Sequence, residues 1–200
     1  MRVLRASGVA AAACAVLVLT GCGAPDDAET PIGRDAASDY RCLAEHSPWI
    51  VDLDAAYDAW RDAAAQGVGV RAGDVTGSAR LSFTGSADPR WRFSAERVAY
   101  ELFLDDGSRE STTVSGEYSG DYRLSPSGGM LVLTSVRVDA ADSAATATAA
   151  DGTSGAVTVP APAFPWDAGA GASLAFTCTE HRLIVDAVGG IPSNWNLYPE

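Results

Sequence analysis

The chain contains no lysine, so all 14 of its basic residues are arginine. Against them stand 26 acidic residues, for a net charge of −12. An excess of that sign excludes nucleic acid and anionic bilayer surfaces as charge-driven partners. The missing lysine, in a chain heavy in Ala and Gly, reads as the coding bias of a GC-rich genome and carries no mechanism. Histidine is nearly absent, with only His46 and His181. There is no G-x-S-x-G elbow, neither His follows a Ser or Cys nucleophile motif, and no carboxylate pair stands out from the surface acids. A phosphate-cradling glycine loop is also missing. These absences argue against an enzyme and against any cofactor. No apolar run reaches the roughly 20 residues that a transmembrane helix needs.

What is present begins at the amino terminus. Arg2 and Arg5 precede the apolar run Val9 to Leu19, and Thr20 and Gly21 supply small residues before Cys22, the pattern of a secretory signal. Leu19-Thr20-Gly21-Cys22 resembles the lipobox of bacterial lipoproteins. That resemblance implies a diacylglyceryl group on the Cys22 thiol, cleavage just before it, and an extracytoplasmic domain held to the cell membrane by lipid. Two or more acyl chains give a stable anchor where one holds only reversibly. The alternative is an ordinary secretory signal with a chance cysteine. The expected organisation is a signal peptide at 1–21, a lipidated Cys and disordered tether at 22–39, and a domain at 40–200. The tether is rich in acids and nearly free of apolar residues, and as a flexible coil spans roughly 20 to 25 Å.

Cys14 leaves with the signal and Cys22 is used by lipid, so Cys42 and Cys178 remain as an even pair in an oxidising compartment. They should form a disulfide. The chain-entropy model gives about 5 kcal/mol, as an upper figure, for closing so long a loop.

One helix is expected within Ser47 to Gly67, capped by Asp52, with Leu53, Ala56, Tyr57, Trp60 and Ala64 at helical spacing. After Gly67 the period changes to two, with turn residues every eight to twelve positions, which predicts about nine antiparallel strands. Arg90 to Ser94 and Arg97 to Leu104 read as two of them. Asp105-Asp106-Gly107 is the strongest hairpin turn. Ser108 to Leu124 is long, and Gly116 and Gly120 fall where a bulge would let it curve. Met130 to Val138 needs a bulge near Ser135 to reunite its apolar positions. Residues 139–154 have no large apolar side chain and read as a loop, and Val157 to Pro160 as a short strand.

Cys42, Ser47-Pro48-Trp49, Val51-Asp52-Leu53-Asp54, Thr177-Cys178 and Gly189-Gly190-Ile191-Pro192 through Trp195 and Leu197 resemble a group of uncharacterised actinobacterial lipoproteins. Gly116-Glu117-Tyr118 followed by Leu131-Val132-Leu133-Thr134 is similar to repeats of lipocalin-like and META-type β domains. The resemblance implies a mainly β fold: an antiparallel meander forming a lipocalin-like barrel or half-barrel, with one N-terminal helix near a mouth. It implies no activity.

Three sets of residues are candidates for chemistry. Cys42, His46, Cys178 and His181 offer four zinc ligands on paper, but the oxidising compartment favours the disulfide, so no metal is expected. His46 and His181 as a metal or pH site is the weaker form, set against two exposed histidines beside a turn. Asp54, Asp58 and Asp62 share a helix face that could collect Ca²⁺, yet read as the polar side of an amphipathic helix. The third set is aromatic. Trp60, Trp91, Phe93, Tyr100 and Tyr118 fall on inward positions and would either fill the barrel or line a pocket for a small apolar ligand. The expected function is non-catalytic binding of such a ligand or of an envelope component. The rival is an interaction module acting through its outer surface, with 160–166 and the acidic helix face as candidate surfaces.

Overall fold

The computed structural model describes residues 35–159, 162, 164–186 and 193–200. The signal sequence, Cys22, most of the tether and Gly189-Gly190-Ile191-Pro192 lie outside them.

The order is α1 (Ala36–Glu45), β1 (Trp49–Val51), α2 (Leu53–Ala64), β2 (Val70–Phe83), β3 (Arg90–Leu104), β4 (Arg109–Leu124), β5 (Met130–Leu133), β6 (Arg137–Thr148), β7 (Ser154–Gly155), β8 (Ser173–Cys178), β9 (Leu183–Asp186) and β10 (Asn194–Pro199). Hydrogen bonding runs β3-β2-β1-β10-β9-β8-β5-β4, and β4 returns to β3, which closes an eight-stranded antiparallel barrel. β6 and β7 are added outside that ring. The mainly β barrel is as expected.

β3 shows how the sequence makes the wall. Trp91, Phe93 and Ala95 are buried on odd positions, and Val98, Tyr100, Leu102 and Leu104 on even ones. A register shift between Ala95 and Val98 reunites the two sets on the inner face, so the two expected strands are one strand with a bulge. Arg97 sits at φ 48 at that bulge, and Gly77 at φ 99 faces it, where a Cβ would lie 2.4 Å from the Arg97 carbonyl oxygen. The Asp105–Gly107 turn forms as expected, with Gly107 at φ 85 and the Asp106 carboxylate accepting from the Ser108 amide at 2.8 Å.

Three sequence expectations are corrected. The domain begins inside the expected tether. Asp35 caps α1 by accepting from the Ser38 amide at 2.9 Å, and Asp39 is 6% exposed and accepts from the Gly129 amide at 2.7 Å. Only Cys42 and Leu43 join it as buried residues of α1, too short an apolar signal to stand out from an acidic stretch. Second, Trp49–Val51, at the start of the span expected to hold the helix, is a strand paired to both β10 and β2, while the helix itself begins after the Asp52 cap as expected. Third, residues 137–148 form β6, paired along β4 from Ser119 to Arg109. Both faces of β6 are exposed except at Ala147, so it has no reason to alternate in hydrophobicity and its sequence looks like loop.

α1 lies across one end of the barrel. The Tyr40 hydroxyl accepts from the Leu124 amide at 3.1 Å, its ring meets Tyr122 at 5.5 Å, and Cys42 is bonded to Cys178 at the end of β8. The disulfide is therefore present, and it ties the helix to the β8–β9 hairpin. α2 packs on β2 and reaches Tyr100 of β3 through Trp60.

Burial raises the Asp39 carboxyl above the ordinary aspartate value, the Gly129 amide lowers it, and the neighbouring Asp35 raises it further. A carboxyl whose folded pKa is raised holds its proton more tightly when folded, so it costs stability as pH rises through that value. Asp39→Asn keeps an acceptor for Gly129 and removes the charge. Urea titrations from pH 3 to 7 should show the variant gaining on the wild type as pH rises and matching it below the unfolded aspartate pKa; a constant difference would contradict this.

Candidate functional site: an aromatic interior closed by a strap

The aromatic residues expected to face inward do so. Trp60, Trp91, Phe93 and Tyr100 are at most 4% exposed, and Tyr118 is half-buried. They do not ring a single space. Phe93 and Tyr118 are cross-strand partners with rings 6.0 Å apart, in the middle of the wall. Tyr100 lies further along β3 against Trp60, at 5.6 Å, and Trp91 lies on the other side of Phe93 opposite Gly120.

The centre of the barrel is occupied by residues from outside its strands. Between β7 and β8 the chain passes back through the interior as a strap. Phe164 is 4.7 Å from Phe93 and 4.8 Å from Trp195, and Trp166 is 4.4 Å from Phe93, all ring to ring. Phe164 and Trp166 are 3% and 2% exposed. The two aromatics expected at the outer surface within 160–166 are therefore buried. Prolines keep a segment out of a ladder, and Pro162 and Pro165 flank aromatics that are turned into the interior instead. Val157 and Thr158 likewise form no strand.

Glu110 fastens the strap. It is on the inner face of β4 and 5% exposed. One carboxylate oxygen accepts from the Thr158 amide at 2.9 Å and from the Thr158 hydroxyl, and the other accepts from the Val159 amide at 3.0 Å. A carboxylate is an efficient clasp because it accepts several bonds at once, and charge-assisted bonds are roughly twice as strong as neutral ones. In the sequence Glu110 is one acid among many beside a turn, and nothing local distinguishes it.

The interior also holds donors without acceptors. The indole N–H groups of Trp91, Trp166 and Trp195 and the Tyr100 hydroxyl are buried and find no hydrogen-bond partner among the described residues. Burial pushes the Tyr100 phenol well above its ordinary pKa, so it stays a neutral donor. Unmade bonds of this kind cost roughly 1–3 kcal/mol each, and four in one interior is a chemical feature in itself.

The other candidates fare less well. Cys42 and Cys178 are joined to each other, so neither thiolate is free for zinc. His46 packs against the Trp49 ring, and His181 is exposed beside Glu180. Among the described residues no group of three or more His, Cys, Asp or Glu could hold a metal ion. Arg61 bridges Asp58 and Asp62 at 2.9 and 3.1 Å, which occupies two of the three acids on the helix face that could collect Ca²⁺.

Glu110→Ala leaves the Thr158 and Val159 amides without their acceptor. It should cost about 1–3 kcal/mol in urea unfolding and speed hydrogen exchange at those two amides while leaving the barrel ladders protected. Unchanged exchange at 158 and 159 would show that Glu110 does not hold the strap.

No protein-family model, curated protein or solved structure matches this chain.

Proposed function

We propose that the protein is a non-catalytic extracytoplasmic binding module, anchored to the membrane through lipid on Cys22, whose strapped barrel takes a small apolar ligand or a component of the cell envelope. The observation that carries this reading is the strap. The aromatic interior is completed by a removable segment carrying Phe164 and Trp166, not by the strands that build the wall. Its start is clasped at Thr158 and Val159 by the Glu110 side chain, not by a strand ladder, so that end can move without breaking one. What replaces it must be apolar in body, since Phe93 and Trp195 would line the space. It gains most if it also carries oxygen acceptors for the unpaired indole and phenol donors.

Native mass spectrometry of the full chain, expressed in a lipoprotein-processing bacterium, tests this. The expected result is a co-purified small molecule beyond the anchor, with higher occupancy in Glu110→Ala than in the wild type. Bare protein mass in both forms would sink the proposal.

A second reading, an interaction module working through its outside, is favoured by β6. Its far edge pairs with β7 only at Ala147 and Thr148, and residues 137–146 are exposed on both faces. An unpaired edge of that length is a template for an added strand. Crosslinking on intact cells through a photoreactive residue at position 144 should capture a protein neighbour if this reading holds, and none if it does not.

A further inference from the structure

The ring of Phe164 occupies a slot walled by other aromatic rings. Phe93 stands 4.7 Å from it, Trp195 4.8 Å and Trp166 6.0 Å, centre to centre. Phe93 and Trp195 belong to the wall and are fully buried, whereas Phe164 and Trp166 belong to the strap. We propose that this slot is a ligand subsite for a neutral planar ring with a carbonyl oxygen at its edge, which accepts a hydrogen bond from the indole N–H of Trp195. The proposal rests on the reading that the strap yields its place to a ligand, and adds the chemistry of what takes that place.

The shape comes from the wall. Phe93 is on β3 and Trp195 on β10, and β2 and β1 stand between those strands in the sheet. One ring that touches both therefore reaches across the interior. A flat apolar ring meets such neighbours by offset or tilted stacking, as Phe164 does.

The position of the oxygen comes from the tilt. The Trp195 and Phe164 rings are 34° from parallel. An indole N–H lies in the plane of its own ring, so it points along the rim of this stack and away from the face of Phe164. At the rim a phenyl ring offers only C–H, and the Trp195 Nε1 is buried with no hydrogen-bond partner among the described residues. A buried donor without an acceptor is costly. A ring in the same slot that carries an exocyclic carbonyl sets an acceptor at that rim. The Trp166 Nε1 is also unmatched, but it belongs to the strap and leaves with it.

Charge selects the neutral form. Among the described residues the only buried charged side chains are Asp39 and Glu110, both acids. An anion in the slot would find no cation, and burying an unpaired charge costs far more than burying a carbonyl. A cation fares no better. Asp39 is on α1 and engaged by the Gly129 amide. Tyr118, the cross-strand partner of Phe93, is separated from Glu110 by roughly 25 Å along β4, so freeing that carboxylate leaves it out of reach of the slot.

Phe164→Ala in the full chain empties the slot, and an apolar cavity of that kind takes benzene-sized guests. Four probes of one ring size are compared by calorimetry and by the thermal unfolding midpoint: toluene, acetophenone, benzoate and benzylammonium. Acetophenone should bind about threefold to tenfold tighter than toluene, the worth of one net hydrogen bond, and raise the midpoint further. Benzoate and benzylammonium should do neither. Adding Trp195→Phe should bring acetophenone down to the level of toluene, whereas Tyr100→Phe, which removes an equally buried donor further along β3, should leave the preference intact. If Phe164→Ala does not fold, Glu110→Ala loosens the strap instead and takes the same probes, with the same ranking expected. Equal binding of toluene and acetophenone, a preference that survives Trp195→Phe, or tighter binding of a charged probe overturns the carbonyl assignment and leaves the strap reading standing. Binding of no probe to either variant overturns both.

Discussion

One edge of β4 has to serve two partners, and the rest of the molecule follows from that. Its other edge is taken by β3 along almost its whole length. The free edge pairs with β5 at Tyr122–Leu124 and with β6 from Ser119 back to Arg109. β5 goes on to pair with β8 and closes the ring, whereas β6 ends in a two-residue pairing with β7. The barrel is therefore sealed by hydrogen bonds over only part of its height. Above Gly120 the inner face of β2, β3 and β4 would stand open, with Tyr100, Leu102 and Leu104 uncovered. Apolar surface of that size cannot be left to water, since each such side chain is worth about 1.5–3 kcal/mol when buried.

Two elements cover it. α2 brings Tyr57 and Trp60 down on Tyr100, and the strap brings Val159, Phe164 and Trp166. The helix is held by its own ladder and an apolar stripe. Among the described residues the strap pairs with no strand before Gly171, which donates to the Leu133 carbonyl, and it is held by Glu110 and by the packing of its aromatic rings. That difference in attachment is the physical basis for regarding the strap as the part that can yield. The same handover on β4 sets the chain crossing at Ser135 close beside Gly120, where no side chain would fit.

Much of the wall was readable in advance because its residues obey a period. β3 alternates strictly on either side of its bulge, α2 repeats at helical spacing behind Asp52, and Asp105-Asp106-Gly107 turns as such a triplet must. The paired cysteines were readable from their number and compartment. Failures fall where the local pattern carries no burial signal. β6 is Ala, Ser, Thr and Asp because neither face is covered, so its strand state comes from β4 alone. α1 has an acidic sequence in which Asp39 is buried by Gly129 and the Cys42 bond, both contributed from far along the chain. Of the candidate site, the five aromatic positions were legible as inward-facing. Glu110, Phe164, Trp166 and Trp195 were not, because a carboxylate becomes a clasp only when two amides 48 and 49 positions away arrive at it.

By itself the sequence determined which residues of the periodic strands and of α2 face inward, where the main turns fall and which cysteines are left to pair, since these rest on neighbours within a few positions. Tertiary structure alone decided that the ring closes through β4 and β5, that the proline-flanked aromatics fill the interior, and that Glu110 meets the amides of Thr158 and Val159. Closure, plugging and clasp each require segments distant in the chain to meet, and no local periodicity records which ones will.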